Sequence, residues 1–291
     1  ASDRSPEAAR KIAHWMAEEV QFELMNPEKS GAGWYGKKFQ NALDTFATEF
    51  PELATDQEAR DILTSLIAIT SDGQKVVPNF KQAIDIYANF RETGKLSTGI
   101  GHQRQGSIDG NMAKLQELMD TLTPRGMRDF LMQEATVSDL RKIAKAEGID
   151  FKTEYQAHVK LPMGAVVMGP KLGAFYANLM GAHGYLTMDR WWSRTVNRMR
   201  GTLLAKPTKD GIVRVRELLG DPNLSDDQVI AATVEHRNSY EAKSFKNGTE
   251  LEKAANTLYK AAFENLEDAP FNAGDRTFML DAVNKAQSLL K

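Results

Sequence analysis

An all-α fold is what this sequence predicts, and three observations predict it. Apolar residues recur at helical spacing along most of the chain. Runs that alternate Val, Ile or Thr with polar residues are nearly missing. Helix start and stop signals recur: Ser or Thr followed by Pro, and Gly after apolar runs.

Taken in order, the elements have local reasons. Ser5-Pro6-Glu7 supplies a cap, a proline at the first helical position and a first-turn acid. It opens a helix whose apolar positions are Ile12, Trp15, Met16, Val20 and Phe22. The Gly-rich stretch 30–36 predicts a loop. Phe39, Leu43, Phe46 and Phe50 then keep helical spacing until Pro51. A helix over 56–70 ends in LTSLIAI, apolar on nearly every side, and is expected to be central. Pro78 to Phe90 predicts another helix, closed by Gly94. Segment 93–111 has five glycines and few apolar residues, and reads as the longest loop, mobile or ordered by a ligand. Helices are expected at 111–121, 124–134 behind Thr123, and 136–147 between Thr136 and Gly148. Others are expected at 170–181, 188–200, 225–244, 249–265 and 274–290.

Composition bounds the function. The chain has 291 residues, enough for one large or two modest domains. No apolar run reaches the roughly 18 residues of a membrane span, and the first sixteen residues have no apolar signal core. Cysteine is absent, which removes disulfides, Cys-ligated zinc, iron–sulfur clusters and a thiol nucleophile. The five histidines show no metal-ligand spacing, so no metal and no cofactor are expected. A cytoplasmic setting fits. Lys plus Arg number 37 against 39 Asp plus Glu, a net charge of −2. Nucleic-acid binding would therefore need a local basic patch.

Such a patch occurs in VVMGPKLGAFYANLMGAHGYLTMDRWWSRTVNRMRG, residues 166–201. Gly169 allows a tight turn with outward amides, and Pro170 opens a helix striped with Leu172, Phe175, Tyr176 and Leu179. Gly181 and Gly184 end it, and Thr187 is positioned to cap the next helix. There Arg190, Arg194 and Arg198 fall at i, i+4, i+8, while Trp192, Val196 and Met199 give a buried face. Of Trp191 and Trp192, at least one is expected in the core. A glycine turn beside a helix N-terminus binds phosphate well, and arginines in register add charge-assisted contacts.

This stretch resembles the helix-hairpin-helix DNA glycosylase superfamily. That family pairs a Gly-x-Gly hairpin with a lysine at a helix start, then an Asp some eighteen or nineteen residues on. Here Gly169-Pro170-Lys171 and Thr187-Met188-Asp189 match, with Lys171 and Asp189 eighteen residues apart. Upstream, LIAITSDGQKVVPNFKQAIDIY (66–87) is similar to the family's early helix-turn-helix, whose polar turn residue fills the gap left by a flipped base. Gln74 takes that position. The first hairpin glycine is Val167 here, Leu161-Pro162-Met163-Gly164 offers a competing alignment, and Trp191 stands where a His is usual. Phage-related and mobile-element proteins carry similar GWY and TSDGQKV segments.

The resemblance implies a two-lobed all-α fold with DNA in the cleft between the lobes. One lobe, a helical barrel, would span 61–186, and the other 1–60 with 187–291. It implies a DNA glycosylase acting as a monomer on double-stranded DNA with one base flipped, with Schiff-base AP-lyase activity. Lys171 would be the nucleophile and Asp189 the electrostatic and proton-transfer partner. Gln74, Lys75, Gly169, Gly173, Arg190, Arg194 and Arg198 would contact DNA. The chemistry is demanding: a free lysine has a pKa near 10.4, leaving about one in 2,500 neutral at pH 7. An oxidised base or a hypermodified phage base is the expected substrate, and Trp34, Tyr35, Trp191 and Trp192 are available to line a pocket. Two other readings stand beside it. One is an inactive hairpin-fold module that binds DNA. The other is a structural helical domain of a larger protein.

Overall fold

The computed structural model describes residues 4–28, 34–99, 104–153, 155–243, 247–267 and 272–291. These are mostly helical, joined by turns and irregular segments. Contacts divide the chain into two units, one of Ala13–Met188 with Asn272–Lys291 and a smaller one of Ala1–Ile12 with Asp189–Phe271. Residues 13–60 and 272–291 thus group with 61–188. The division passes through α1 (Pro6–Met25). No helix among the described residues is long and apolar enough to cross a membrane.

The larger unit is organised around one helix. α2 (Trp34–Phe46) and the short α3 (Glu52–Thr55) lead to α4 (Gln57–Thr70). Asp56 caps α4, accepting from the Glu58 amide at 2.8 Å. Every residue of α4 from Asp61 to Thr70 is buried, so its uniformly apolar end is central because neighbours cover it on all sides. Those neighbours include α5 (Val76–Thr93), α6 (Gln105–Thr121), α7 (Pro124–Met132) and α10 (Pro170–Leu179). Leu63, Leu66, Ile67 and Ile69 have no measurable exposure. Each such side chain contributes about 1.5–3 kcal/mol by burial.

Sequence signals fixed several boundaries and missed others. Gly94 ends α5 in the left-handed region at φ 70°. Thr123 caps α7, and Thr136 caps α8 (Val137–Ala146). α5 starts two residues before the expected Pro78, because a proline fits the first turn of a helix as well as its first position. The expected loop at 93–111 is helical from Gln105 onward, and its residues 100–103 lie outside the described residues. Gly106 and Gly110 sit inside α6, where burial of Ile108, Met112 and Leu115 outweighs their poor helix propensity. A two-stranded antiparallel ribbon was not foreseen. It pairs β1 (Glu134–Thr136) with β2 (Lys160–Pro162), and three-residue strands leave no period to detect.

In the smaller unit, Ile212, Val215, Val229 and Leu258 make the core of α12 (Lys209–Leu219), α13 (Asp226–Ala242) and α14 (Glu250–Tyr259). α14 continues as a π-helical turn over Lys260–Glu264. Glu252 completes a capping box with Thr249 and accepts from Ser239 Oγ at 2.6 Å and Lys243 Nζ at 2.7 Å. These donors, Lys243 foremost, hold its carboxyl down at about 2, against an ordinary 4.5. A depressed carboxyl stabilises the fold above its unfolded value, and that contribution is lost as pH falls through the folded value. Glu252→Gln should therefore lower the melting temperature at pH 7 and flatten its decline between about pH 4.5 and 2. Circular dichroism melts across that range check it; parallel curves for the two proteins would refute it.

Candidate active site

Two turns of the larger unit meet. The first joins α4 to α5 over residues 71–75. Thr70 Oγ1 donates to the buried Asn79 Oδ1 at 2.5 Å, tying the end of one helix to the start of the next. The Ser71 amide bonds Ile67 O at 3.1 Å, and the Gln74 amide bonds Ser71 O at 3.2 Å. Gly73 has φ 75°, a conformation that favours glycine. Gln74 is half-buried and donates to Gln82 on α5, while Lys75 is exposed and occupies the cap position of α5.

The second turn joins α9 (Gly164–Met168) to α10 at Gly169. Gly169 has φ 87° and ψ 160°, a region essentially closed to other residues. Its own amide is not outward: it bonds Ala165 O at 3.0 Å and ends α9. Pro170 has no N–H, so Lys171 and Leu172 carry the amides that helix geometry leaves without an intrahelical acceptor. Val167, standing where the hairpin glycine was expected, is buried at the end of α9. Gly173 is buried at the crossing of α9 and α10. A Cβ placed there would lie 2.4 Å from Ala165 N and 2.7 Å from Gly164 C.

An ion pair connects the turns. Lys171 Nζ lies 3.1 Å from Asp72 Oδ1, across 99 positions of sequence. The carboxylate side is the more enclosed, with Asp72 15% and Lys171 39% exposed. α6 supports this arrangement. Asn111 Nδ2 and Lys114 Nζ both reach the carbonyls that end α9, at Met168 and Val167, each at 3.4 Å. The Arg104 side chain lies over Gly73, where a Cβ would stand 3.2 Å from Arg104 Cγ. Of the cations near the two turns, Lys171 holds the Asp72 carboxylate, Lys114 holds the Val167 carbonyl and Arg104 covers Gly73. Asp72, Arg104, Asn111 and Lys114 were not singled out in the sequence. Asp72 stood inside the quoted TSDGQKV segment, yet no local spacing ties it to a lysine 99 residues away.

Asp189, the arginines that follow it, Trp191 and Trp192 belong to the smaller unit. Asp189 is the cap of α11 (Arg190–Met199), and its Oδ1 accepts from the Trp192 amide at 2.7 Å. Thr187, expected in that role, instead accepts from Asn178 Nδ2 at 3.0 Å within the larger unit. An aspartate nearer the helix offers a stronger acceptor to the same amides. Ser193, Val196 and Asn197 form the buried face of α11. Arg190 and Arg198 are exposed. The Arg194 guanidinium carbon stands 5.3 Å from the centre of the Trp191 ring. Trp191 is exposed; Trp192 is half-buried, with its indole N–H enclosed. Trp34 and Tyr35 open α2, with their side chains outside the described residues.

A cavity of about 340 Å³ lies elsewhere in the larger unit, lined by Glu52, Asp56, Glu58, Tyr87, Arg91 and others. Its Asp56 stands at the opposite end of α4 from Asp72, about 24 Å away at 1.5 Å per residue. Tyr87 donates to Glu52 Oε1 at 3.0 Å, and burial pushes its hydroxyl pKa upward. This cavity holds none of the residues of the two turns. Among the described residues, no group of three or more His, Asp or Glu side chains could hold a metal ion. Compared with protein-family models, with curated proteins and with solved structures, the chain matches none.

Proposed function

We propose that this chain is a DNA glycosylase that excises a damaged or modified base and cleaves the abasic product through a Schiff base at Lys171. One observation carries it. The Lys171–Asp72 ion pair joins the glycine hairpin to the 71–75 turn, so the two sequence segments that suggested the activity share one surface. The lysine sits at the second position of α10, and the turn beside it presents Gln74 and Lys75.

In the reaction, the neutral Lys171 amine forms a bond to C1′. The C1′–N bond breaks, and its electron pair leaves with the base, which takes up a proton. The amine gives a proton to Asp72, and as the sugar ring opens the C1′–O4′ electron pair stays on O4′, which takes up a proton, giving the iminium. Asp72 is the acceptor within reach of Nζ. For Asp189, the resemblance alone carries the role of stabilising positive charge on the sugar. Unstacking the target base costs a few kcal/mol, and Gln74 would occupy the gap. The enzyme acts as a monomer on double-stranded DNA, without metal or cofactor, and a cytoplasmic setting fits a chain without cysteine.

The decisive test is borohydride reduction in the presence of a duplex bearing one abasic site. A covalent protein–DNA adduct is expected, and its absence from wild type defeats the lyase assignment. A second reading is duplex binding without chemistry. The same ion pair favours it, since a lysine already satisfied by a carboxylate can serve as a charged anchor. It predicts salt-sensitive binding with no adduct.

Either way, the arginines of α11 should register in the salt dependence of affinity. Replacing Arg190, Arg194 and Arg198 with Ala should make the log–log salt slope about 2.7 units shallower, at ~0.9 per phosphate contact. An unchanged slope would remove α11 from the interface.

A further inference from the structure

α11 holds a large apolar side chain in water. Trp191 is 70% exposed, although Ser193, Val196 and Asn197 already supply the buried face of the helix. Tryptophan is ordinarily well covered, so core packing does not account for this one. The ring is held from one side, with the Arg194 guanidinium 5.3 Å from its centre. From Arg190 to Arg200 the helix carries four arginines and no acidic residue, the one carboxylate of its start being the cap Asp189, which accepts from the Trp192 amide. Arg190 and Arg198 are exposed and lie one helical turn to either side of Arg194.

We propose that Trp191 and Arg194 form a stacking platform for an unpaired nucleobase of DNA, with Arg190 and Arg198 taking the flanking phosphates. This rests on the reading that the chain binds DNA, and it adds a preference for bases that are out of the duplex. The exposed indole offers a π-face of about the area of a base, which every base can meet without sequence preference. Arginine polarises the platform from behind, and the helical repeat sets positive charge on both sides of the stacked base. An acidic peptide would satisfy the arginines but leave the indole face without a planar partner.

The test is fluorescence anisotropy of the full chain with labelled oligothymidine of roughly a dozen nucleotides, and with a duplex of equal length. Trp191→Ala should weaken single-strand binding about tenfold, Trp191→Phe should restore most of it, and duplex binding should change less. The salt slope should be the same for wild type and Trp191→Ala, since no charge is removed. The exposure of Trp191 predicts unchanged melting, and Trp191→Gln provides a second replacement that keeps helix propensity. Single-strand binding unaffected by either replacement, with duplex binding intact, overturns the platform and leaves the DNA reading standing. Competition by polyglutamate as strong as by unlabelled oligothymidine also overturns the platform, because charge alone would then explain the binding. Wild type that binds neither DNA overturns both.

Discussion

Lys171→Ala should leave no borohydride-trapped adduct on an abasic duplex that wild type captures readily. The amine is the atom that bonds to C1′, and Lys75, exposed on the adjoining turn, is the one other lysine there, so Lys75→Ala runs beside it and should still trap. Asn111 offers an amide and Asp72 a carboxylate, and Lys114 is engaged with the Val167 carbonyl at 3.4 Å. Two companions separate the roles around it. Asp72→Asn keeps the lysine and removes the oxygen 3.1 Å from it, and should slow trapping about a hundredfold if that oxygen takes the proton. Faster trapping would show instead that Asp72 restrains the lysine. On a duplex that still carries its target base, Asp189→Asn should slow adduct formation by about two orders of magnitude, since only there does base departure build positive charge on the sugar. The measurement is the rate of adduct formation on gels at matched binding saturation. An adduct that survives Lys171→Ala would move the nucleophile to another residue.

Gly173→Ala should be among the most destabilising single substitutions in the chain. A methyl group there meets Ala165 N at 2.4 Å, Ala165 Cα at 2.7 Å and Gly164 C at 2.7 Å. All three are backbone atoms, so no side chain can turn away, and α9 and α10 must separate. Overpacking of this kind costs about 3 kcal/mol or more, a melting temperature lower by roughly 6–12 °C. Gly110→Ala is the matched control. It lies inside α6, nothing stands within 4 Å of an added Cβ, and it should stabilise by up to about 1 kcal/mol. Equal melting temperatures for the two variants would refute the close approach of the backbones. DNA contact by Gly173 was expected from the resemblance. Its burial against α9 gives this glycine a packing task in the hairpin.

The sequence made the all-α class legible because helices announce themselves locally, through caps and a period of 3.6. Thr123, Thr136 and Gly94 acted where they were expected to act. Signals failed where two local options competed or where the reason was distant. Thr187 and Asp189 both suit a cap, and the choice between them depends on Asn178, which engages Thr187. The expected loop became α6 because its apolar residues had partners on α4, which the glycine count could not reveal. Of the site, Lys171 and the Gly169 turn were visible as a motif. Asp72 was visible only as a turn residue, because its partner is tertiary. Trp192 and Met199, expected on the buried face of α11, are only half-buried for a simpler reason: residue type predicts burial on average, and this helix fills its core with Ser193, Val196 and Asn197.

The ion pair between the two turns has a consequence for how the chain can be divided. Residues 166–201 carry the glycine turn, the lysine and the arginines, and so look like a portable cassette. The carboxylate opposite the lysine is supplied from 99 positions earlier, at the end of a helix buried on all sides. Closing so long a loop costs entropy that no local helix can offset by itself. The lysine therefore acquires its partner only when α4, α6 and α10 are packed together. A peptide excised around the motif, or the motif grafted onto another helical scaffold, would keep the recognisable letters and lack the paired lysine.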